Sequence, residues 1–173
     1  MPITRQDLFK YLDALNIAHS TVDHAPIFTV EEGADIKAAM PGAHTKNLFL
    51  KDKAGRFFLI CAQNDTQIRI NKLHPLLGCK RLSFGKPEPL LALLGVTPGS
   101  VTLFSILNDK AHQVTLILDA ALTAHNIVNF HPLLNDATTA ISSKDMIAFA
   151  KATGHNPIIL DFAELTKKGL NDE

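Results

Sequence analysis

Tryptophan is absent from this chain of 173 residues, tyrosine occurs once and cysteine only twice. Cys61 and Cys79 cannot make a disulfide framework, and neither belongs to a CxxC pair, so their spacing suggests neither a zinc ribbon nor a redox motif. Cys61 ends an apolar run and reads as a small buried hydrophobe. An excess of charge is also missing: Lys plus Arg is 17 and Asp plus Glu is 17. A protein that coats nucleic acid through many phosphates usually carries surplus base, so nucleic-acid contact here has to be local. No apolar run approaches the roughly 20 residues of a membrane span. The opening MPITRQDLFKYLDAL lacks the basic-then-apolar order of a secretion signal. The cytoplasm is the expected location, with no membrane and no DNA as partner.

Common catalytic signatures are lacking too. There is no Walker loop, no GxGxxG, no GxSxG nucleophile elbow and no HExxH. His74 and Cys79, five apart across a proline and a glycine, have no standard zinc spacing. Neither cysteine has an evident activating neighbour. No metal and no cofactor are expected.

What is present is an ordinary globular composition, 46% hydrophobic and 20% charged, long enough for one domain with a real core. That domain is expected over residues 1–165, with a polar tail at 166–173. Thr4 and Asp7 resemble a capping box, and Leu8, Tyr11, Leu12 and Leu15 form one helical stripe, so a helix is expected over 4–16. A short strand follows at 17–23. Thr29 with Glu32 offers a second helix start, running to Ala39. AHTKNLFLKDKAGRFFLICAQN reads as a β-hairpin turning at Asp52-Lys53-Ala54-Gly55. A short helix interrupted by Pro75 is expected at 71–77, a brief strand at 81–84, and a helix at 87–94 that stops at Gly95. The loop GVTPGSV, 95–101, is expected to open into a strand. Strands at 114–118, 138–141 and 158–161 and a helix capped by Ser142 and ending at Gly154 complete the pattern, with an irregular polar stretch from Asn129. Strands and helices alternate without a regular βαβ rhythm. The expected fold class is therefore α/β, with a mixed, largely antiparallel sheet surrounded by helices.

Three features bear on chemistry. Side chains alternate along a strand, so Lys46 lies on the apolar side with Leu48 and Leu50; it is either a snorkelling strand-start lysine or a cation serving a site. GVTPGSV is either a helix cap followed by a turn, or a nest of backbone N–H groups suited to an oxyanion. His131 precedes Pro132, which forces it into extended backbone and can fix it on a pocket wall.

Taken together, FTVEE at 28–32, HTKNLFLKD at 44–52, LLGVTPGSVT at 93–102, FHPLLNDATTAIS at 130–142 and FAKATGHNPIILDF at 149–162 resemble the YbaK/ProX family of free-standing aminoacyl-tRNA editing domains. Their order and spacing make the match specific, and HPLxNxATTxI with TGHxP resembles the ProX-like subgroup that clears alanine from proline tRNA. The resemblance implies a compact α/β domain with a strongly curved mixed sheet. It implies a hydrolase acting on the ester between alanine and the terminal ribose of tRNA(Pro), substrate-assisted and without a protein nucleophile. It places catalytic roles on Lys46 and on the backbone of Gly99 and Ser100. Asn47, Gly95, Pro98, Val101 and His131 fall at the substrate, with Phe28 and Val30 as expected apolar walls. Prolyl-tRNA synthetase or an elongation factor is the candidate source of the substrate. The rival readings are a cysteinyl-tRNA(Pro) deacylase of the same fold and a non-catalytic module that binds tRNA or a synthetase.

Overall fold

The computed structural model describes residues 2–27 and 32–167. The N-terminal helix α1 spans Arg5–Ala14 and starts at a reciprocal capping box: Thr4 Oγ1 accepts from the Asp7 N–H, and Asp7 Oδ2 accepts from the Thr4 N–H. Strand β1, Ser20–Asp23, is followed by helix α2, Ala34–Ala39. The helix start expected at Thr29 lies outside the described residues.

Strands β2, Ala43–Asp52, and β3, Phe57–Gln63, form the expected hairpin, with Lys46 opposite Ala62, Leu48 opposite Ile60 and Leu50 opposite Phe58. At the turn, Asp52 Oδ1 accepts from the N–H groups of Ala54 and Arg56, and Gly55 takes φ +92°. That left-handed backbone suits glycine. The expected helix at 71–77 divides into a 3₁₀ turn at Ile70–Lys72 and helix α3, His74–Leu77, with Pro75 in its first turn. Proline has no N–H to continue the first segment but is tolerated at a helix start.

Strand β4 is Leu82–Phe84, and helix α4, Pro87–Leu94, is closed by Gly95 at φ 68°. The strand expected after GVTPGSV is instead a 3₁₀ segment, Leu103–Asn108, in which Leu103, Phe104 and Ile106 are buried. These apolar side chains join the core from a backbone that enters no strand pairing among the described residues. Strand β5 is Val114–Asp119, and β6 is Ile127–Phe130. The irregular stretch expected from Asn129 therefore begins later, because Asn129 and Phe130 pair with Ala140 and Thr139 of β7, Ala137–Ser142. Helix α5 is Ser143–Ala152, capped by Ser142 Oγ at the Asp145 N–H. Strand β8, Ile158–Leu160, leads into helix α6, Phe162–Lys167, so the helix runs two residues into the segment expected to be a polar tail.

The sheet order is β1-β7-β6-β2-β3-β5-β8, with β4 also on β2. Pairs β1–β7, β6–β7, β2–β3 and β2–β4 are antiparallel, while β2–β6, β3–β5 and β5–β8 are parallel. Both faces of the central strands are covered. Phe49, Leu59, Cys61 and Leu116 join a core with residues of α1, α4 and α5. Leu50, Phe58, Ile60 and Ile117 join a second core with Leu73, Leu82 and Phe162. Near-continuous apolar runs such as FFLICA are what such a two-sided burial requires.

The TGHNP segment has a structural task. His155 is 5% exposed. Its Nε2 lies 2.9 Å from Asp109 Oδ2 and its Nδ1 2.9 Å from Thr153 Oγ1. Asp109 also accepts from the Gln113 and Val114 N–H groups. This network ties the end of α5 to the start of β5, and every polar group in it has a partner.

Candidate functional site

One edge of β2 carries two different neighbours. Strand β6 pairs with it at Ala43 and His44, and β4 at Leu50 to Asp52. Between them, residues 45–48 have a strand neighbour among the described residues only on the β3 side. A cleft of about 330 Å³ opens here, within the size range of small-ligand sites. Lys46, Asn47, Gly99, Val101 and His131 all line it. Five residues expected at the substrate, from three separate stretches of chain, are thus brought together.

Lys46 points as alternation requires. Its cross-strand partner Ala62 and its face neighbours Leu48 and Leu50 belong to the second core. The ammonium reaches past this surface to donate to the Thr66 carbonyl. Thr66 is itself fixed, since its hydroxyl donates to Asp119 Oδ2 at 2.5 Å, and the same oxygen accepts from the Gln63 N–H. Among the described residues no carboxylate forms an ion pair with Lys46. The cleft therefore carries a cation with donors to spare, held by a neutral carbonyl. Such a group suits an incoming anion.

Two amides of the cleft present buried oxygens without partners, Asn47 Oδ1 and Asn129 Oδ1. Asn129 donates through Nδ2 to the carbonyls of both Pro41 and Ala43, 3.1 Å each, which fixes which way its amide faces. Its backbone carbonyl accepts from Thr45 Oγ1 at 2.7 Å. An unpaired buried acceptor is costly, and a ligand donor can satisfy it. Sequence reasoning missed Asn129; its only signal was a polar residue two positions before His131.

His131 follows β6 directly. Its Nδ1 lies 3.1 Å from the Ala137 carbonyl. A carbonyl can only accept, so Nδ1 carries the proton and Nε2 of the neutral ring is an acceptor. Burial pushes the His131 pKa below the usual imidazole value, against the opposing effect of the Ala137 hydrogen bond. The loop after it is strapped to two other elements. Arg5 Nε donates to the Pro132 carbonyl at 3.0 Å and Arg5 Nη2 to Asp136 Oδ1 at 2.5 Å. Asn135 exchanges hydrogen bonds with Ile27, one from its side chain and one through the backbone. Ile27 is a cleft wall, so the same straps hold the wall and the histidine together.

The glycine loop divides into a structural half and a cleft half. Gly95 caps α4, and a Cβ there would lie 2.7 Å from Asn108 Nδ2. Pro98 and Gly99, at φ +92°, are the central residues of a type II turn closed by the Ser100 N–H on the Thr97 carbonyl at 3.0 Å. Gly95, Pro98 and Ser100 do not line the cleft. Ser100 is 3% exposed and its N–H is already engaged, which corrects the expectation that its N–H faces the reacting ester. The Gly99 N–H has no partner among the described residues. Phe28 and Val30 lie outside the described residues. Ile27 and Ile36 are apolar walls that the sequence reading did not name.

Neither cysteine is a nucleophile in the cleft: Cys61 is fully buried, and desolvation drives its thiol pKa far up. Among the described residues no three His, Cys, Asp or Glu side chains group as metal ligands would, and no helix is long and apolar enough to cross a membrane.

A cleft at the splayed edge of a mixed eight-stranded sheet, holding a lysine with no carboxylate partner among the described residues, a neutral histidine and a glycine turn, defines a class of small-substrate pocket rather than a nucleotide-triphosphate or dinucleotide site. The family model of the aminoacyl-tRNA editing domain matches residues 24–149, and the chain belongs to that family, in its YbaK/ProX form. It is 38% identical over 160 residues to the prolyl-tRNA synthetase associated domain-containing protein 1 of Danio rerio, covering 91% of this chain and 87% of the relative. It is 34% identical over 152 residues to the prolyl-tRNA editing protein ProX of Acetoanaerobium sticklandii, covering 87% and 93%. A crystal structure described as a candidate trans-editing enzyme for prolyl-tRNA synthetase superposes with TM-score 0.68 at 19% identity, over 93% of this chain and 98% of that one, and shares the fold.

Proposed function

We propose that this protein hydrolyses the ester of alanine mischarged on tRNA(Pro), acting in trans. The observation that carries the reading is the meeting of a Lys46 ammonium held by a carbonyl, with no carboxylate partner among the described residues, and a neutral His131 in one cleft of an editing-domain fold. An aminoacyl ester is already activated, so it needs placement, a positioned water and stabilisation of the developing oxyanion, not necessarily a protein nucleophile.

In this mechanism Lys46 holds the phosphate of the terminal nucleotide. The Gly99 N–H donates to the ester carbonyl as water adds to it. The free hydroxyl of the terminal ribose positions that water, the ester oxygen leaves on the ribose and takes up a proton, and the products are alanine and deacylated tRNA. His131 Nε2 accepts from the amino group of the substrate, and Asn47 Oδ1 offers a second acceptor. The His131 ring, Ile27 and Ile36 close round the side chain. A prolyl active site cannot strongly reject a smaller amino acid, since missing methylenes are worth only about 1–3 kcal/mol. This cleft sorts in the opposite sense, admitting a methyl and excluding a pyrrolidine ring by clash.

The test is deacylation of alanyl-, cysteinyl- and prolyl-tRNA(Pro) by the purified chain. Alanyl-tRNA(Pro) is expected to turn over well ahead of the other two. Preference for the cysteinyl ester would move the protein to the cysteine-clearing type, and no turnover of any would leave a binding module.

A further inference from the structure

The zero net charge of the chain conceals a segregation. Between Lys51 and Lys86 there are eight lysines and arginines against two aspartates, Asp52 and Asp65. The fold gathers most of these cations at one end of the central sheet. Lys51, Lys53 and Arg56 sit on and around the β2–β3 turn, and Lys80, Arg81 and Lys86 flank β4, which pairs with β2 there. All six are exposed, and none is in an ion pair with a carboxylate among the described residues.

Asp52 does not neutralise this surface from outside. It is 2% exposed, and its two oxygens accept from the N–H groups of Ala54, Arg56 and Lys80. Its carboxylate clamps the turn to the approach of β4 and so holds the two basic segments side by side. A second concavity of about 360 Å³ lies between them, lined by Lys51, Asp52, Lys53, Ser83, Phe84, Lys86 and Pro89. Phe84, 64% exposed, is the most exposed large hydrophobic side chain among the described residues. Glu88, in the first turn of α4, is exposed close to these cations in sequence, and Asp65 within the segment is exposed as well.

The geometry points to this groove as an RNA-docking surface that holds the acceptor arm of the tRNA whose 3′ end occupies the first cleft. The assignment rests on the reading given under Proposed function. Lys51, Lys53, Lys80 and Lys86 are point charges on flexible stems, none in a carboxylate ion pair among the described residues, and they match a run of phosphates. An exposed ring set among them offers a stacking face that any base can use. An acidic protein partner would use the same cations, and the binding measurements below separate it from RNA. Lys46 and Lys51 are five residues apart on β2, about 16 Å along the strand and on opposite sides of it by alternation. One strand thus runs from the catalytic cleft to the groove. It also reconciles the absent net charge with an RNA substrate, because the base needed is concentrated rather than spread.

The experiment compares the parent chain with Lys51→Ala, Lys53→Ala and Lys86→Ala combined, and with Phe84→Ala. All are surface changes, checked for folding by circular dichroism. Binding of uncharged tRNA(Pro) is followed by fluorescence anisotropy over a salt series, and deacylation is followed on full-length aminoacyl-tRNA and on a short aminoacyl-oligonucleotide ending in CCA. The triple variant is expected to bind tRNA at least tenfold more weakly, with a salt slope reduced by about 0.9 per lysine. Phe84→Ala is expected to cost roughly tenfold in affinity. For both, KM should rise on the full tRNA while kcat holds, and the short substrate should be unaffected. Unchanged affinity and salt slope would overturn the assignment, as would loss of binding to purified prolyl-tRNA synthetase with tRNA binding intact. A parent chain that deacylates nothing but binds tRNA through these residues would refute the proposed function and leave the groove standing.

Discussion

Replacing Lys46 by Met removes the cation and keeps most of the aliphatic stem over Ala62 and Leu48. The cleft is open on one side, so a phosphate about 4 Å from Nζ gains roughly 4 kcal/mol at an effective dielectric near 20, and exposure with salt screening leaves about half of that. About 2 kcal/mol corresponds to roughly a 30-fold loss in kcat/KM. The structural cost is expected to be small. The Thr66 carbonyl loses a donor at the wet edge of the cleft, but Asp119 still holds its loop through the Thr66 hydroxyl and the Gln63 N–H. That places the stability change at about 1 kcal/mol or less, and a shift in Tm of about 2–4 °C. The assay is single-turnover deacylation of alanyl-tRNA(Pro) beside a thermal melt of the same preparation. Turnover within threefold of the parent would refute the reasoning and return Lys46 to the snorkelling role. A large fall in Tm accompanying the lost activity would also refute it, by showing that the lysine holds the fold.

His131→Ala is expected to raise prolyl-tRNA(Pro) deacylation by about tenfold relative to alanyl-tRNA(Pro), since the ring limits side-chain size by clash; unchanged selectivity in competition assays would place the sieve elsewhere. In the parent, burial lowers the His131 pKa, the Ala137 hydrogen bond raises it, His24 and Arg5 lower it further and Asp136 raises it. Below the ordinary imidazole value of 6.5 the unfolded chain therefore binds a proton that the folded chain resists, so stability falls as pH drops through that value and levels off below the native pKa. Activity should show an acid limb below 6.5 that His131→Ala abolishes. Arg5→Ala removes the hydrogen bonds that fasten the Pro132 carbonyl and Asp136 to α1, a half-exposed strap worth about 1 kcal/mol. A modest fall in Tm is expected together with a several-fold rise in KM, and a KM equal to the parent's would show that the loop holds itself.

The hairpin, the capped helices and the odd orientation of Lys46 were legible because each rests on neighbours close in the chain: period-two alternation, a turn at Asp52 to Gly55, and Ser or Thr caps three residues from their donors. The failures share the opposite property. Strand β6 contains only four residues, one of them Asn129, and its strand character comes from β7 on one side and the start of β2 on the other. The segment after GVTPGSV has an apolar pattern that suits a strand or a coil, and it folds as a 3₁₀ segment whose buried Leu103, Phe104 and Ile106 join the core. Ser100 had the right neighbours in sequence, yet closure of the Pro98–Gly99 turn consumed its N–H.

The candidate site divides along the same line. Residue types and order singled out Lys46, the loop at 95–101 and His131, and the family resemblance added Asn47 and tied them to aminoacyl-tRNA editing. Their assembly was not legible, because the cleft exists only where β2 exchanges one neighbour, β6, for another, β4, leaving residues 45–48 open on that edge. The same holds for Arg5, which reaches Pro132 and Asp136 across more than 120 residues of chain, and for the basic groove, which appears only when β4 is laid against the end of β2. Local spacing determined which groups this protein carries and which way each strand turns them. Long-range pairing alone decided which groups meet, since sequence separation places no limit on contacts made through a sheet.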